Sequence, residues 1–293
     1  MATFDASKLN IPFMKYRKFY MLLSGALIVL SLVLLATKGL NYSVDFSGGV
    51  SLQLKFGSPA DIGAVREAIG GVGHGLEAQA FEDGSIRIRY AESDDALQEQ
   101  ILQILRDKFG DVTIQQIDNV GPAVGAELRR QAAVAISLSI VAILIYMAFR
   151  FRFRFGVAAV AALVHDSLIM LGAYSLTGRE VGTSFIAAVL TVIGYSLNDT
   201  IVILDRVREN WNQIHSVGVL PLINNSVNQT LSRTINTSLT TLLPVLAMFF
   251  LGGEVISNLA FAFLVGIVAG TYSSIFIASS MVAEWYLRKP EKR

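Results

Sequence analysis

The stretch Gly194-Tyr195-Ser196-Leu197-Asn198-Asp199-Thr200-Ile201-Val202-Ile203-Leu204-Asp205-Arg206 closes an apolar run, Ser184–Leu204, of the length that crosses a bilayer. About 20 predominantly apolar residues suffice for a spanning helix. This run nevertheless carries an Asn-Asp pair in its interior and an Asp-Arg pair at its end. A carboxylate at bilayer depth costs about 2.5–3.5 kcal/mol on insertion scales, so such groups face protein or water, take a partner, and mark ion or substrate paths. The reading of the chain turns on what Asp199 does and which group answers its charge.

Outward from this run the pattern repeats. Five more apolar segments reach spanning length: Phe19–Ala36, Ala132–Phe149, Phe155–Leu176, Ile235–Leu251 and Leu259–Leu287. The fifth span in chain order, Ile235–Leu251, holds Pro244, where a kink is expected. Of the 293 residues 53% are hydrophobic and 16% charged, against about 25% charged in soluble domains, which defines a polytopic membrane protein. Lys8, Lys15, Arg17 and Lys18 precede the first run. That run is longer than a signal-peptide core and no clean A-x-A site follows it, so it is expected to stay as the first helix. Basic residues also mark Arg150–Arg154, Arg206, Arg208, Arg233 and the tail, whereas the opposite side has Arg179, Glu180 and Glu254. The positive-inside rule then puts both termini in the cytoplasm and translocates the one large insert. The expected layout is a cytoplasmic N-terminus over 1–18, a first transmembrane helix over 19–37, an extracytoplasmic domain over 38–130, a five-helix transmembrane bundle over 131–287 and a cytoplasmic tail over 288–293.

The insert reads as a folded domain. Val50–Phe56 alternates as a strand; Ser58-Pro59 is a helix entry before Ile62, Val65 and Ile69, and Gly70-Gly71 stops that helix. Leu76–Phe81 and Ser85–Tyr90 flank Asp83-Gly84, a hairpin signal. Ser93 is placed to cap a helix through Leu97, Ile101, Ile104 and Leu105 that ends at Gly110, and Thr113–Val120 gives a last strand. The order βαββαβ is that of a ferredoxin-like α+β domain between helices 1 and 2.

Composition removes several functions. The absence of cysteine rules out disulfides, thiol catalysis and Cys-type metal sites, and His74, His165 and His215 have no metal-ligand spacing. No phosphate loop, nucleotide fingerprint or nucleophile-base set occurs. A net charge of +1 implies no attraction to nucleic acid. No cofactor, metal or conventional enzymatic activity is expected.

The remaining polar groups each carry two readings. Low dielectric favours the neutral form of a carboxyl, so Asp199 can bind and release a proton; alternatively it is locked in an ion pair that joins helices. Asn198 and Thr200 can bond either form or a water. Arg233, expected at the cytoplasmic start of the fifth helix, is the natural counter-charge, since a long arginine can snorkel to that depth; alternatively it is an ordinary positive-inside residue. His165-Asp166, mid-helix, either relays protons or makes an interhelical contact. Asp205-Arg206 and Arg208-Glu209 sit at the membrane boundary. Asn236, Thr237, Ser238, Thr240 and Thr241 form a polar stripe on the fifth helix, and Asn258 and Glu284 are expected to be structural. Val44-Asp45-Phe46-Ser47-Gly48-Gly49 reads as a tight turn, its glycines allowing close approach of another chain. Arg150-Phe151-Arg152-Phe153-Arg154 is a topology signal that meets lipid headgroups.

Taken together, the Asp45–Gly49 turn, the Gly194–Arg206 run with Arg208-Glu209-Asn210, and Ser232-Arg233-Thr234-Ile235-Asn236-Thr237-Ser238-Leu239-Thr240-Thr241 resemble the SecD/SecF family of protein-export membrane subunits, within the resistance-nodulation-division superfamily. The resemblance runs from about Lys15 to Leu287. It implies a subunit that uses the proton motive force in late steps of protein translocation across the bacterial cytoplasmic membrane. It implies a proton path through Asp199 and Arg233 and a coupling role for Asp45, Gly48 and Gly49; Asn198, His165 and Asp166 are carried as candidate neighbours of that path from their own positions in the sequence. Its implied partners are SecD, the SecYEG channel, YajC, YidC and the translocating polypeptide. Sodium is an alternative coupling ion. Half of a proton-coupled small-molecule exporter, or a passive channel scaffold, is the competing function.

Overall fold

The computed structural model describes residues 11–72, 76–81, 84–91 and 95–289, except the side chain of Glu254. The expected turn residue Asp83 and cap Ser93 lie outside the described residues, as do Lys8, His74, Lys292 and Arg293. The chain divides into two compact units, one comprising 42–134 and the other the residues up to 41 and from 135 onward.

In the first of these, α2 (Val44–Ser47) leads into β1 (Gly49–Phe56), followed by α3 (Ile62–Ile69), β2 (Glu77–Ala80), β3 (Ser85–Tyr90), α4 (Asp95–Phe109) and β4 (Val112–Val120). The strands form one antiparallel sheet in the order β2-β3-β1-β4. Alternation dictates its buried face: Val50, Leu52, Leu54, Ile86 and Ile88 point to one side, where Val65 and Ile69 of α3 and Ile101 and Leu105 of α4 close the core. The register slips between Gln53 and Leu54 against β4, which explains the poor alternation of that last strand. The helix entry differs from the expected Ser58-Pro59. Asp61 is the cap, its Oδ2 accepting from the Ala64 amide at 3.0 Å, since a side-chain oxygen three residues before a free helix amide satisfies it.

The other unit contains α1 (Arg17–Thr37); α5 (Pro122–Arg150) enters it at residue 135, and α6 (Phe153–Thr177), α7 (Thr183–Glu209), α8 (Val219–Leu251), α9 (Gly253–Tyr272) and α10 (Ser279–Arg288) follow. Among the described residues six helical stretches are long and apolar enough to cross a membrane. α6, α7 and α9 form the interior; α9 packs against α6, α7 and α8, and α1 lies along α6. Close approach is built on small residues. A Cβ on Gly172 of α6 would fall 2.2 Å from Ser31 Oγ of α1, and one on Gly266 would fall 2.6 Å from Val192, the packing expected where lipid supplies no hydrophobic drive between helices. α1 and α5 keep most of their apolar side chains exposed, Phe19, Leu22, Val29, Leu138 and Phe149 among them.

Two spans depart from the sequence reading. The fifth helix begins at Val219, not near Ile235, and continues through Pro244. Its polar N-terminal half is helical because Leu222, Ile223, Val227 and Leu231 bury one stripe, while Ser226, Asn228 and Thr230 bond back to carbonyls of the same helix. The last span is not one regular helix: Ser273–Ala278 forms a π-helical segment between α9 and α10. Such wide turns insert a residue into the ladder and re-aim the side chains around it.

Candidate functional site

α6, α7 and the π-helical segment meet around two carboxylates whose surroundings are opposite. Asp166 on α6 is buried at 2% exposure and fully engaged. Its Oδ2 accepts from Ser196 Oγ of α7 at 2.6 Å and from Ser273 Oγ at 2.8 Å, while His165 Nδ1 lies 3.0 Å from Oδ1. One carboxylate thus ties three elements together. Asp199, three residues beyond Ser196, is 3% exposed, yet its Oδ2 has no hydrogen-bond partner. Its neighbour Thr200 has Oγ1 2.7 Å from Ser274 Oγ, and Ser274 Oγ reaches Ser196 O at 3.3 Å.

Why these side chains converge is visible locally. Ser196, Asp199 and Thr200 fall at spacings of three and four on α7, hence on one face. Gly270 of α9 permits the approach: a Cβ there would stand 2.8 Å from Ser196 Cβ. The π-helical segment places Ser273 and Ser274 side by side toward α6 and α7. The hydroxyls of Ser196, Ser273 and Ser274 are satisfied, as buried polar groups must be, whereas Asp199 Oδ2 is not.

Arg233 is not at the start of its helix. It lies 14 residues after Val219, about 21 Å along at 1.5 Å per residue. Its guanidinium is close enough for its charge to act on Asp199, but no contact ion pair joins the two, and Arg233 is exposed on the isolated chain. Asn198 is likewise exposed, on the opposite side of α7 from Thr200. Most of the fifth-helix polar stripe bonds to its own backbone: Thr237, Thr240 and Thr241 donate to the carbonyls of Arg233, Asn236 and Thr237. Ser238 reaches across, 2.7 Å from Thr271.

Other expected positions are placed as follows. Asp205 pairs with Arg150 and, at 3.1 Å, with Arg208; Arg206 pairs with Glu209 at 2.9 Å. Glu284 takes Arg17 at 2.7 Å, and Asn258 donates to Glu180 O at 2.8 Å. In the sheet-bearing unit the Asp45–Gly49 turn is a backbone junction. Gly49 has φ +109, and a Cβ there would sit 2.4 Å from Tyr90 O; one on Gly48 would meet Pro122 Cα at 3.2 Å; Arg129 donates to Phe46 O.

Sequence reasoning missed Ser196, Ser273 and Ser274. The signal was present as Ser273-Ser274 and Ser279-Ser280, paired hydroxyls in an otherwise apolar run, which lipid exposure would disfavour.

The chain is similar to known proteins. The family description "Protein export membrane protein SecD/SecF, C-terminal" matches residues 100–288, and "SecD/SecF GG Motif" matches residues 33–60. The chain is 43% identical to the protein translocase subunit SecF of Desulfurispirillum indicum, covering 94% of this chain and 91% of that one. It is 41% identical to SecF of Haemophilus influenzae over 96% of this chain and 89% of the relative. Among solved structures, SecDF of Thermus thermophilus, titled a translocon-associated membrane protein, superposes with a TM-score of 0.89 at 38% identity; the match covers 96% of this chain and 39% of that longer one.

Proposed function

Because the chain belongs to the SecD/SecF family of protein-export membrane proteins, we propose that it works as the SecF-type half of a translocase subunit pair, drawing on the proton motive force to promote late steps of protein translocation across the bacterial cytoplasmic membrane. The observation that carries this reading is the contrast between the two buried acids. Asp166 would have to give up one of three hydrogen bonds to take a proton, whereas Asp199 has a bare oxygen ready for one. Proton arrival neutralises Asp199, weakens its pull on Arg233 and lets the fifth helix shift; proton release restores the attraction. One charge moving through 100 mV is worth about 2.3 kcal/mol, enough for a few protons to bias a helix movement. Sodium is the alternative ion at the same oxygens.

The partner follows from size. A single SecDF chain of Thermus thermophilus holds both halves, and this chain accounts for 35% of its length, so a SecD-type chain is the natural second half. Exposed Asn198 and Arg233 are polar groups in apolar surroundings that such a half would cover. The reading extends to SecYEG, YajC, YidC and the translocating polypeptide as further partners, with both termini cytoplasmic. We read the sheet-bearing unit as an extracytoplasmic ferredoxin-like domain, supported by its strand order β2-β3-β1-β4. The Asp45–Gly49 turn is read as the joint that transmits movement to it, supported by its close backbone packing. The role is transport rather than catalysis.

Asp199→Asn keeps shape and packing but removes the proton site. In proteoliposomes or inverted vesicles it is expected to assemble normally and lose the gradient-dependent part of export while keeping the ATP-driven part. Export equal to the parent at every imposed gradient refutes the proton role.

A further inference from the structure

Asp166 is held beside a histidine whose second nitrogen is bare. His165 is 3% exposed, its Nδ1 lies 3.0 Å from Asp166 Oδ1, and its Nε2 has no hydrogen-bond partner. The ring stacks on Tyr272 at a centroid distance of 6.0 Å and an interplanar angle of 30°. The Tyr272 hydroxyl is already committed, accepting from Ser24 Oγ and donating to Tyr20 O, both at 3.1 Å. It therefore does not serve Nε2. A buried imidazole nitrogen without a partner is costly, and the cost is sustained next to an anion anchored by two hydroxyls.

We propose that His165 is a second proton-binding residue of this subunit, with Nε2 the accepting atom and Asp166 the fixed counter-charge that orients the ring through Nδ1. The inference rests on the proton-coupled reading above and places the exchangeable proton of this pair on the imidazole. The arrangement is that of a histidine oriented by a buried carboxylate, which selects the tautomer with hydrogen on Nδ1 and stabilises the cation formed when Nε2 takes a proton. The lone pair on Nε2 forms the new N–H bond with a proton drawn from the aqueous side, and the same bond breaks on release.

Charge counting supports the assignment. With Nε2 bare, the pair carries one net negative charge; with Nε2 protonated it is neutral. Among the described residues neither member forms an ion pair with a lysine or arginine. On the surrounding elements Tyr272 at the end of α9 stacks on the ring, Asp199 lies one turn beyond Ser196 on α7, and the arginines of α1 and α7, Arg17, Arg206 and Arg208, are paired with Glu284, Glu209 and Asp205. A proton on Nε2 balances the charge of Asp166 within the pair. The hydroxyls of Ser196 and Ser273, both on Asp166 Oδ2, link that change of charge to α7 one turn before Asp199 and to the π-helical segment.

His165→Asn tests this with little change of shape, since the asparagine amide can replace Nδ1 as donor to Asp166 but offers nothing in place of Nε2. The subunit, co-expressed with its SecD-type partner in vesicles, is labelled with nitrogen-15 histidine; with three histidines in the chain, the His165 signals are those lost in His165→Asn. As the pH rises from 5 to 9 the Nε2 resonance is expected to move from a protonated to a bare imidazole position while Nδ1 stays protonated, and to do so in Asp199→Asn as well. Gradient-driven export is expected to fall at least tenfold in His165→Asn with thermal stability unchanged. A His165 signal that holds one protonation form throughout, or parental export by His165→Asn, overturns the proposal. If Asp199→Asn is defective and His165→Asn is not, this inference alone fails; if Asp199→Asn exports normally, the reading beneath it fails too.

Discussion

Gly270→Ala tests the geometry on which both carboxylates depend. The added Cβ would lie 2.8 Å from Ser196 Cβ, 3.0 Å from Ser196 Oγ and 3.3 Å from Ser196 Cα. Carbon atoms pack best at about 3.5–4.0 Å, so α7 and α9 must separate by about 0.7 Å or more. Neither neighbour is the end of a flexible side chain, so the strain passes into the helices; overpacking of this kind costs about 1–3 kcal/mol. The same movement stretches the Ser196–Asp166 bond from 2.6 Å past the range of a good hydroxyl–carboxylate contact, and a hydrogen bond to a charged group is worth about 1.5–3 kcal/mol. The sum is about 2.5–6 kcal/mol, read by thermal unfolding of the purified protein in nanodiscs. Ser196→Gly removes the obstructing Cβ, so the double variant is expected to recover the packing share while the hydrogen-bond share stays lost. The cycle separates the two contributions. Parental stability for Gly270→Ala, within about 0.5 kcal/mol, refutes the claim that this glycine sets the helix approach.

Gly49→Ala combines a φ of +109 with a Cβ 2.4 Å from Tyr90 O; it is expected to destabilise the sheet-bearing unit by about 2 kcal/mol or more, seen as faster amide exchange in β1 and β3. Gly71→Ala, which meets nothing within 4 Å, is the matched control and is expected to leave exchange unchanged. Asn228 holds the backbone of Ile11 through two bonds of 2.9 Å, close to where Phe13 and Met14 are buried. Asn228→Ala is therefore expected to speed proteolysis before α1 severalfold while the helices melt as in the parent.

How far the sequence could be read varied with the physics involved. The six apolar runs were legible because lipid leaves the backbone no partner but itself, making helix the required form of such runs. In the sheet-bearing unit, Ser85–Tyr90 was read to the residue because alternation and one buried face specify register. The entry at Asp61 was missed because Ser58-Pro59 is an equally plausible local signal, and the Asp61–Ala64 contact settles the matter. The start of α8 was missed because its first half is polar, and hydropathy does not register a helix stabilised by a narrow buried stripe and back-bonded hydroxyls. The buried acids were legible one by one, since a carboxylate in an apolar run is conspicuous wherever it falls.

What the sequence determined by itself, then, is local and compositional: spans, strand alternation, and the presence of Asn198, Asp199, His165 and Asp166 where ionisable groups are costly. Which of these are satisfied was decided by tertiary structure alone. Asp166 and Asp199 look alike in the chain, and nothing local tells which of them is hydrogen-bonded. The fold instead gives three partners to Asp166 and leaves Asp199 Oδ2 with none. The reason is that hydrogen bonding acts within about 3 Å. Whether Ser196 and Ser273 come that close to one carboxylate depends on a glycine at 270 and a wide turn at 273–278, both distant in sequence from the acids they distinguish.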